Sequence, residues 1–247
     1  MSEPSEYSPS GQPIYRHQGR ETEEWRAPSY GREGWSEQIE AHFEKHIGKS
    51  EGVFHEILSD TIHVDVHVIP PSAERDYTVL FTTGMSYLPM TTPEELPDYR
   101  FAELMIALPS SWPLTDDAFQ DENHYWPIRW LKILSRLPHE YETWLGPGHT
   151  VPNGDPAEPF ASRTKLSGVM LMPPTLGGPA FPELKMDSGE TLRIYNVLPL
   201  YTQEMDHKLR HGAEALMEKL EGPSYREVVD PNRRPAVKSS FFSFWKK

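Results

Sequence analysis

Cysteine is absent from the 247 residues, which excludes disulfides, thiolate metal centres, iron–sulfur clusters and cysteine nucleophiles. Basic side chains are scarce: 24 Lys and Arg stand against 37 Asp and Glu, a net charge of −13. A general nucleic-acid binder carries the opposite balance, so no nucleic-acid partner is expected. No apolar run approaches the ~20 residues that cross a bilayer. The opening MSEPSEYSPSGQP has neither the charged start nor the greasy middle of a signal peptide. These absences predict a cytoplasmic protein without a membrane span.

Proline and aromatics are plentiful instead. The 25 prolines are about twice the usual share and crowd the connections between apolar runs, as in a loop-rich globular fold. Seven Trp, eleven Tyr and ten Phe supply a large core.

The two ends differ from the middle. Residues 1–35 are rich in Ser, Pro, Glu, Gly and Arg with almost no aliphatic side chains, the composition of a disordered tail. Residues 231–247 hold Arg233, Arg234, Lys238, Lys246 and Lys247 without an acid, and a cluster of Phe241, Phe242, Phe244 and Trp245. This basic, aromatic tail suits docking on a partner, contact with a membrane interface or folding back on its own domain. Residues 36–230 form the expected domain, with 31 acids against 15 bases, a net −16.

Within that domain Ile39, Phe43 and Ile47 recur at helical spacing after Ser36, a plausible cap, and Gly48 supplies a stop. Residues 62–69 alternate: Ile62, Val64, Val66 and Val68 share one strand face, and His63, Asp65, His67 and Ile69 share the other. Pro70–Pro71 and a polar turn then lead to a second strand at 77–83, a hairpin. Residues 101–108 (FAELMIAL) read as a central strand. Pro127 is expected to open a helix lined by Ile128, Leu131, Leu134 and Leu137 and limited by Pro138. Residues 146–163 are too rich in Gly, Pro and Asn for regular structure. Strands at 169–172 and 192–200 and one helix over 202–220, capped by Thr202, complete the pattern. Strands and helices mix without strict βαβ alternation, which indicates an α+β fold.

Several constellations are chemically suggestive. His63, Asp65 and His67 share a strand face and offer two imidazoles and a carboxylate to a metal. Alternate residues on one strand lie ~6.5–7 Å apart, so they need a further ligand from elsewhere; the alternative is a polar, half-exposed face. A metal-dependent hydrolase on these three residues is the enzymatic reading. His42 and His46 are four apart, but the glutamate between them is one residue late for a zinc protease, so both are expected to be solvated. Ser86, in Thr-Gly-Met-Ser-Tyr, lacks the Gly-x-Ser-x-Gly elbow of a nucleophile. No phosphate loop or dinucleotide fingerprint is present, so neither catalytic residues nor a cofactor are expected. Residues 146–155 (GPGHTVPNGD) make either a binding loop or a compact turn that routes the chain.

The order of these features resembles the suppressor of fused domain family in its bacterial form, over roughly residues 36–230. The resemblance rests on the hairpin leading to Thr-Thr-Gly-Met-Ser, the strand at 101–108, the helix after Pro127, the Gly-His-Thr-Val-Pro-Asn-Gly loop at 148–154 and the strand that turns into Thr-Gln-Glu-Met. It implies a mixed, largely antiparallel sheet with flanking helices, no catalytic activity and a protein partner. Its animal relatives sequester a transcription factor by adding a peptide strand between two domains; bacterial members are proposed immunity proteins that neutralise a cognate toxin. The resemblance points to Gly148, His149, Thr150, Asn153 and Asp155 as partner-binding residues. His149 matches the histidine of the animal loop, while Gly148 stands where that loop has an acid.

Overall fold

An eight-stranded sheet grows around the apolar run that begins at Phe101. The computed structural model describes residues 4–17, 32–56, 62–220 and 227–238. In chain order the elements are β1 (Glu6–Tyr7), β2 (Pro13–Ile14), α1 (Trp35–His46), β3 (Gly52–Phe54), β4 (Asp65–Ile69), β5 (Tyr77–Thr83), β6 (Phe101–Pro109), α2 (Glu122–Glu140), β7 (Thr150–Pro152), β8 (Leu166–Met172), β9 (Glu183–Lys185), β10 (Thr191–Tyr201), α3 (Thr202–His211) and α4 (Ala213–Leu220). β6 is buried from Phe101 to Leu108, as a strand covered on both faces must be.

The sheet runs β3-β4-β5-β6-β10-β8-β7, with β9 beside the first part of β10. Only β6 and β10 pair in parallel, over Leu192–Asn196 against Phe101–Met105; the other described ladders are antiparallel. The α+β expectation and its largely antiparallel sheet therefore hold. Side-chain alternation sorts the core into two layers. Leu104, Ile106, Val169, Leu171 and Val197 meet α2 through Trp126, Trp130 and Leu134. On the opposite face Phe81, Met105 and Ile194 meet α1 through Trp35, Ile39 and Phe43, and Met170, Leu198 and Leu200 meet α3 and α4. Phe43 stacks on Phe81 at 3.8 Å between ring centres.

Several helix boundaries differ from the pattern in the sequence. α1 begins at Trp35 behind Gly34, so Ser36 lies inside the helix and does not cap it. α2 starts at Glu122, five residues before Pro127, because the Asp121 side chain caps it by accepting the Asn123 amide at 2.9 Å. Pro127 and Pro138 both lie inside the helix on its buried side, where their rings add apolar surface. The last helix is two helices: Gly212 at φ +94° ends α3 and redirects the chain so that Leu216 and Leu220 reach the sheet. α3 is capped by Tyr201 and Glu204 rather than by Thr202: the Tyr201 amide donates to the Glu204 carboxylate at 2.9 Å. Thr202 instead bonds Ser167 at 2.7 Å.

Both regions read as tails carry structure where they are described; residues 1–3, 18–31 and 239–247 lie outside the described residues. Residues 4–17 form the β1–β2 hairpin, with Ser5 N donating to Ile14 O at 2.8 Å. Its anchorage is Ser10, whose amide and hydroxyl donate to Leu209 O at the end of α3 (3.1 and 2.9 Å). Composition alone does not reveal such an anchor. At the other end, the chain past residue 230 is fastened to the sheet. β6 and β10 part beyond Met105 and Asn196, and Val228 bridges Ala107. Arg233 then grips Glu204 with both nitrogens of its fork, at 2.6 and 2.5 Å, and donates to Pro199 O at 3.0 Å. The aromatic cluster 241–247 lies outside the described residues.

Candidate functional site

The loop at 146–155 is held by backbone pairing. Gly148, at φ +79°, donates its amide to Leu171 O at 2.7 Å, and Leu171 N donates to His149 O at 2.9 Å. β7 then runs along β8, pairing Thr150 with Met170 and Pro152 with Gly168. Asn153 closes the turn: its amide donates to Ser167 O at 2.8 Å and its side chain to Glu158 O at 2.8 Å and Pro159 O at 3.2 Å. β7 is the last strand on this side of the sheet, and Pro152 removes one donor from its edge. Of the five residues expected to bind a partner, Asp155 projects furthest: its side chain is 79% exposed.

Beneath the loop lies a buried cation. Lys208 is 7% exposed, and its ammonium donates to Thr150 Oγ1 at 3.2 Å. Burial pulls its pKa down to about 8. His149 packs edge-on to Trp144, ring centres 4.4 Å apart. Burial, with Lys208's charge added, pushes its pKa down to about 4, so the ring is neutral at neutral pH. The N-terminal hairpin flanks this assembly: Ser10 binds the α3 carbonyl at Leu209, Arg16 reaches Asp155 at 3.4 Å, and His17 stacks on Tyr141 at 4.6 Å. Sequence reasoning missed both Lys208 and the hairpin. Lys208 sits in a polar helix stretch, and nothing in its neighbours marks it as buried.

The expected trio His63, Asp65 and His67 does not assemble. His67 is buried under α1, stacked on Phe81 at 4.6 Å and hydrogen-bonded through Nε2 to Thr83 at 2.9 Å. Burial lowers its pKa. His63 does approach Asp65, Nε2 to Oδ1 at 3.1 Å, and the second imidazole there is His55, Nδ1 to the same oxygen at 3.1 Å. The β3–β4 register explains this. Phe54 faces Val66, so the next residue, His55, falls opposite Asp65. His42 and His46 are likewise not solvated side chains. They bond the carbonyls of Phe181 and Gly177 at 2.9 and 3.2 Å and tie α1 to the loop before β9.

Ser86 is fully buried and donates its hydroxyl to Glu103 at 2.6 Å. The same carboxylate receives Gly84 N and Ser86 N at 3.0 Å each and Thr82 Oγ1 at 2.6 Å. Burial raises its pKa to about 7 against the pull of these four donors. The Thr-Thr-Gly-Met-Ser segment is thus a turn folded around one carboxylate. Gly84 takes φ +126°, and a Cβ there would fall 2.1 Å from His63 O.

Sheet, loop and turn together define a domain of the suppressor of fused type. Residues 60–234 match the family model of the suppressor of fused protein (SUFU); the chain belongs to this family. A SUFU homologue from Neisseria gonorrhoeae FA 1090 shares the fold with a TM-score of 0.62 at 18% identity, over 83% of this chain and 98% of that one. A chain of a Sufu–Fu complex does so with a TM-score of 0.57 at 14% identity, over 85% and 93%. No curated protein gives a significant match. Among the described residues no helix is long and apolar enough to cross a membrane.

Proposed function

We propose that the chain is a non-enzymatic protein-binding domain whose contact surface is the 146–155 loop with the adjoining β7 edge. The observation that carries this reading is the way the loop is built. Gly148, His149, Thr150 and Asn153 are fixed by the β8 backbone, by Lys208 and by the carbonyls of Glu158 and Pro159 just past the loop, which leaves Asp155 presented on a rigid support. Preorganisation of this kind lowers the ordering cost of association. A family relative solved as a Sufu–Fu complex supports a protein as the occupant.

The finer reading is that of a cytoplasmic immunity protein that neutralises a cognate toxin. What supports it is the net −16 of residues 36–230: an anionic surface speeds encounter with a basic partner and suits the phosphate-binding groove of a nuclease. Co-expression with toxins encoded beside the gene tests both levels. Rescue of growth that is lost in Asp155→Arg and His149→Ala variants is the expected result. Binding of a partner that survives both substitutions overturns the assigned surface. Absence of rescue by every neighbouring toxin overturns the immunity role.

A further inference from the structure

We propose that His55, His63 and Asp65 form a binding site for one zinc-class divalent cation at the β3–β4 edge of the sheet. This proposal is independent of the protein-binding reading. Among the described residues these three are the one group of His and carboxylate ligands whose donor atoms all lie within 4.8 Å of one another. They come from two strands: His55 follows β3 directly opposite Asp65, and His63 lies two residues before Asp65. This cross-strand arrangement supplies what a single strand lacks, a third ligand close to the other two.

The spacing suits the ion. Both imidazole nitrogens stand 3.1 Å from Asp65 Oδ1, whereas bonds of ~2.0–2.1 Å around tetrahedral zinc place neighbouring ligand atoms about 3.3 Å apart. Two of the three edges therefore need only a slight opening. The third closes by rotation of His55, whose side chain is 71% exposed, while His63 and Asp65, at 22% and 20%, hold their places. Without the ion, each ring nitrogen donates its proton to the shared carboxylate oxygen. On binding, each neutral ring carries its proton on the other nitrogen, so His55 coordinates through Nδ1 and His63 through Nε2. Two imidazoles and one carboxylate favour a borderline ion over magnesium or calcium, which take oxygen cages. Lys132, whose charge Asp65 favours, opposes a second cation there, and Arg129 and Arg136 line the same cavity as His55.

Equilibrium dialysis of the full chain against zinc and, separately, magnesium tests this. The expected result is one equivalent of zinc and none of magnesium, with affinity reduced about tenfold or more by His55→Ala and by Asp65→Asn. His55→Ala removes an exposed side chain, so the fold persists and its thermal melt verifies that. A His207→Ala/His211→Ala variant, which removes the stacked pair on α3, is expected to bind zinc as the parent does. In nitrogen NMR, the coordinated nitrogens of His55 and His63 shift on zinc addition. No stoichiometric zinc, zinc affinity unchanged by His55→Ala and Asp65→Asn, or loss of binding in the His207/His211 variant alone overturns the assignment.

Discussion

Glu103 and Ser86 are joined twice through a single atom: Glu103 Oε1 accepts both the amide of Ser86, at 3.0 Å, and its hydroxyl, at 2.6 Å. With Gly84 N on the same oxygen and Thr82 Oγ1 on the other, the carboxylate fastens the end of β5 to the first part of β6. Burial raises its pKa from 4.5 to about 7. The folded protein therefore binds this proton more tightly than the unfolded chain does. The stabilisation is complete below pH 4.5 and disappears as the pH climbs through about 7. That gap is worth about 3 kcal/mol. Urea denaturation at a series of pH values is expected to show the fall, and Glu103→Gln to remove it. A parent profile flat from pH 4.5 to 7 would contradict the assignment.

Gly84 and Gly178 separate crowding from backbone strain. Both have positive φ, but a Cβ at Gly84 meets backbone at 2.1 Å while one at Gly178 meets nothing within 4 Å. Gly178→Ala should cost about 1–2 kcal/mol from conformation alone. Gly84→Ala should cost over ~3 kcal/mol or abolish folding. Comparable melts for the two variants would refute the close approach of the turn to residue 63.

Lys208 exacts a stability cost. Its pKa is pulled from 10.5 to about 8 by burial, so the penalty of the charged form is fully present below pH 8 and is relieved between about 8 and 10.5. Lys208→Met is expected to stabilise the fold by ~1–3 kcal/mol at pH 7 and to remove the rise in stability above pH 8. If the protein is used as proposed, the same substitution releases Thr150 and weakens partner binding, which calorimetry with the partner would read.

Arg233→Met strands a fully buried Glu204 carboxylate, at a cost of about 3–5 kcal/mol. In a double-mutant cycle with Glu204→Met the coupling is expected to exceed ~1 kcal/mol. Additive losses would mean that the two groups do not act as a pair.

The sequence disclosed those elements whose own residues suffice to define them. The run at 101–108 is apolar on both faces apart from Glu103, and Ile39 and Phe43 mark the buried stripe of α1 without reference to anything else. What stayed hidden depends on distant partners. His55 becomes a neighbour of Asp65 only through the register of a three-residue strand, too short to leave a periodic signal. His67 belongs by alternation to the face of His63, yet α1 covers that part of the face and not the rest. Ser10 looks like any serine in a polar leader until α3 offers it a carbonyl. Of the candidate binding loop, the position was legible from its glycines and from the resemblance; its foundation on Lys208 was not.

The grip of Arg233 on Glu204 also bears on how the chain is born. Glu204 opens α3 and emerges from the ribosome 29 residues ahead of its guanidinium. Until Arg233 follows, a carboxylate destined for the interior has no counterion, and the cleft between β6 and β10 lacks the segment that fills it. Domains ordinarily assemble as units during synthesis; this one cannot complete the Glu204 contact until Arg233 has emerged, 29 residues later. A nascent chain stalled shortly after residue 220 should therefore be far more open to protease than the released protein.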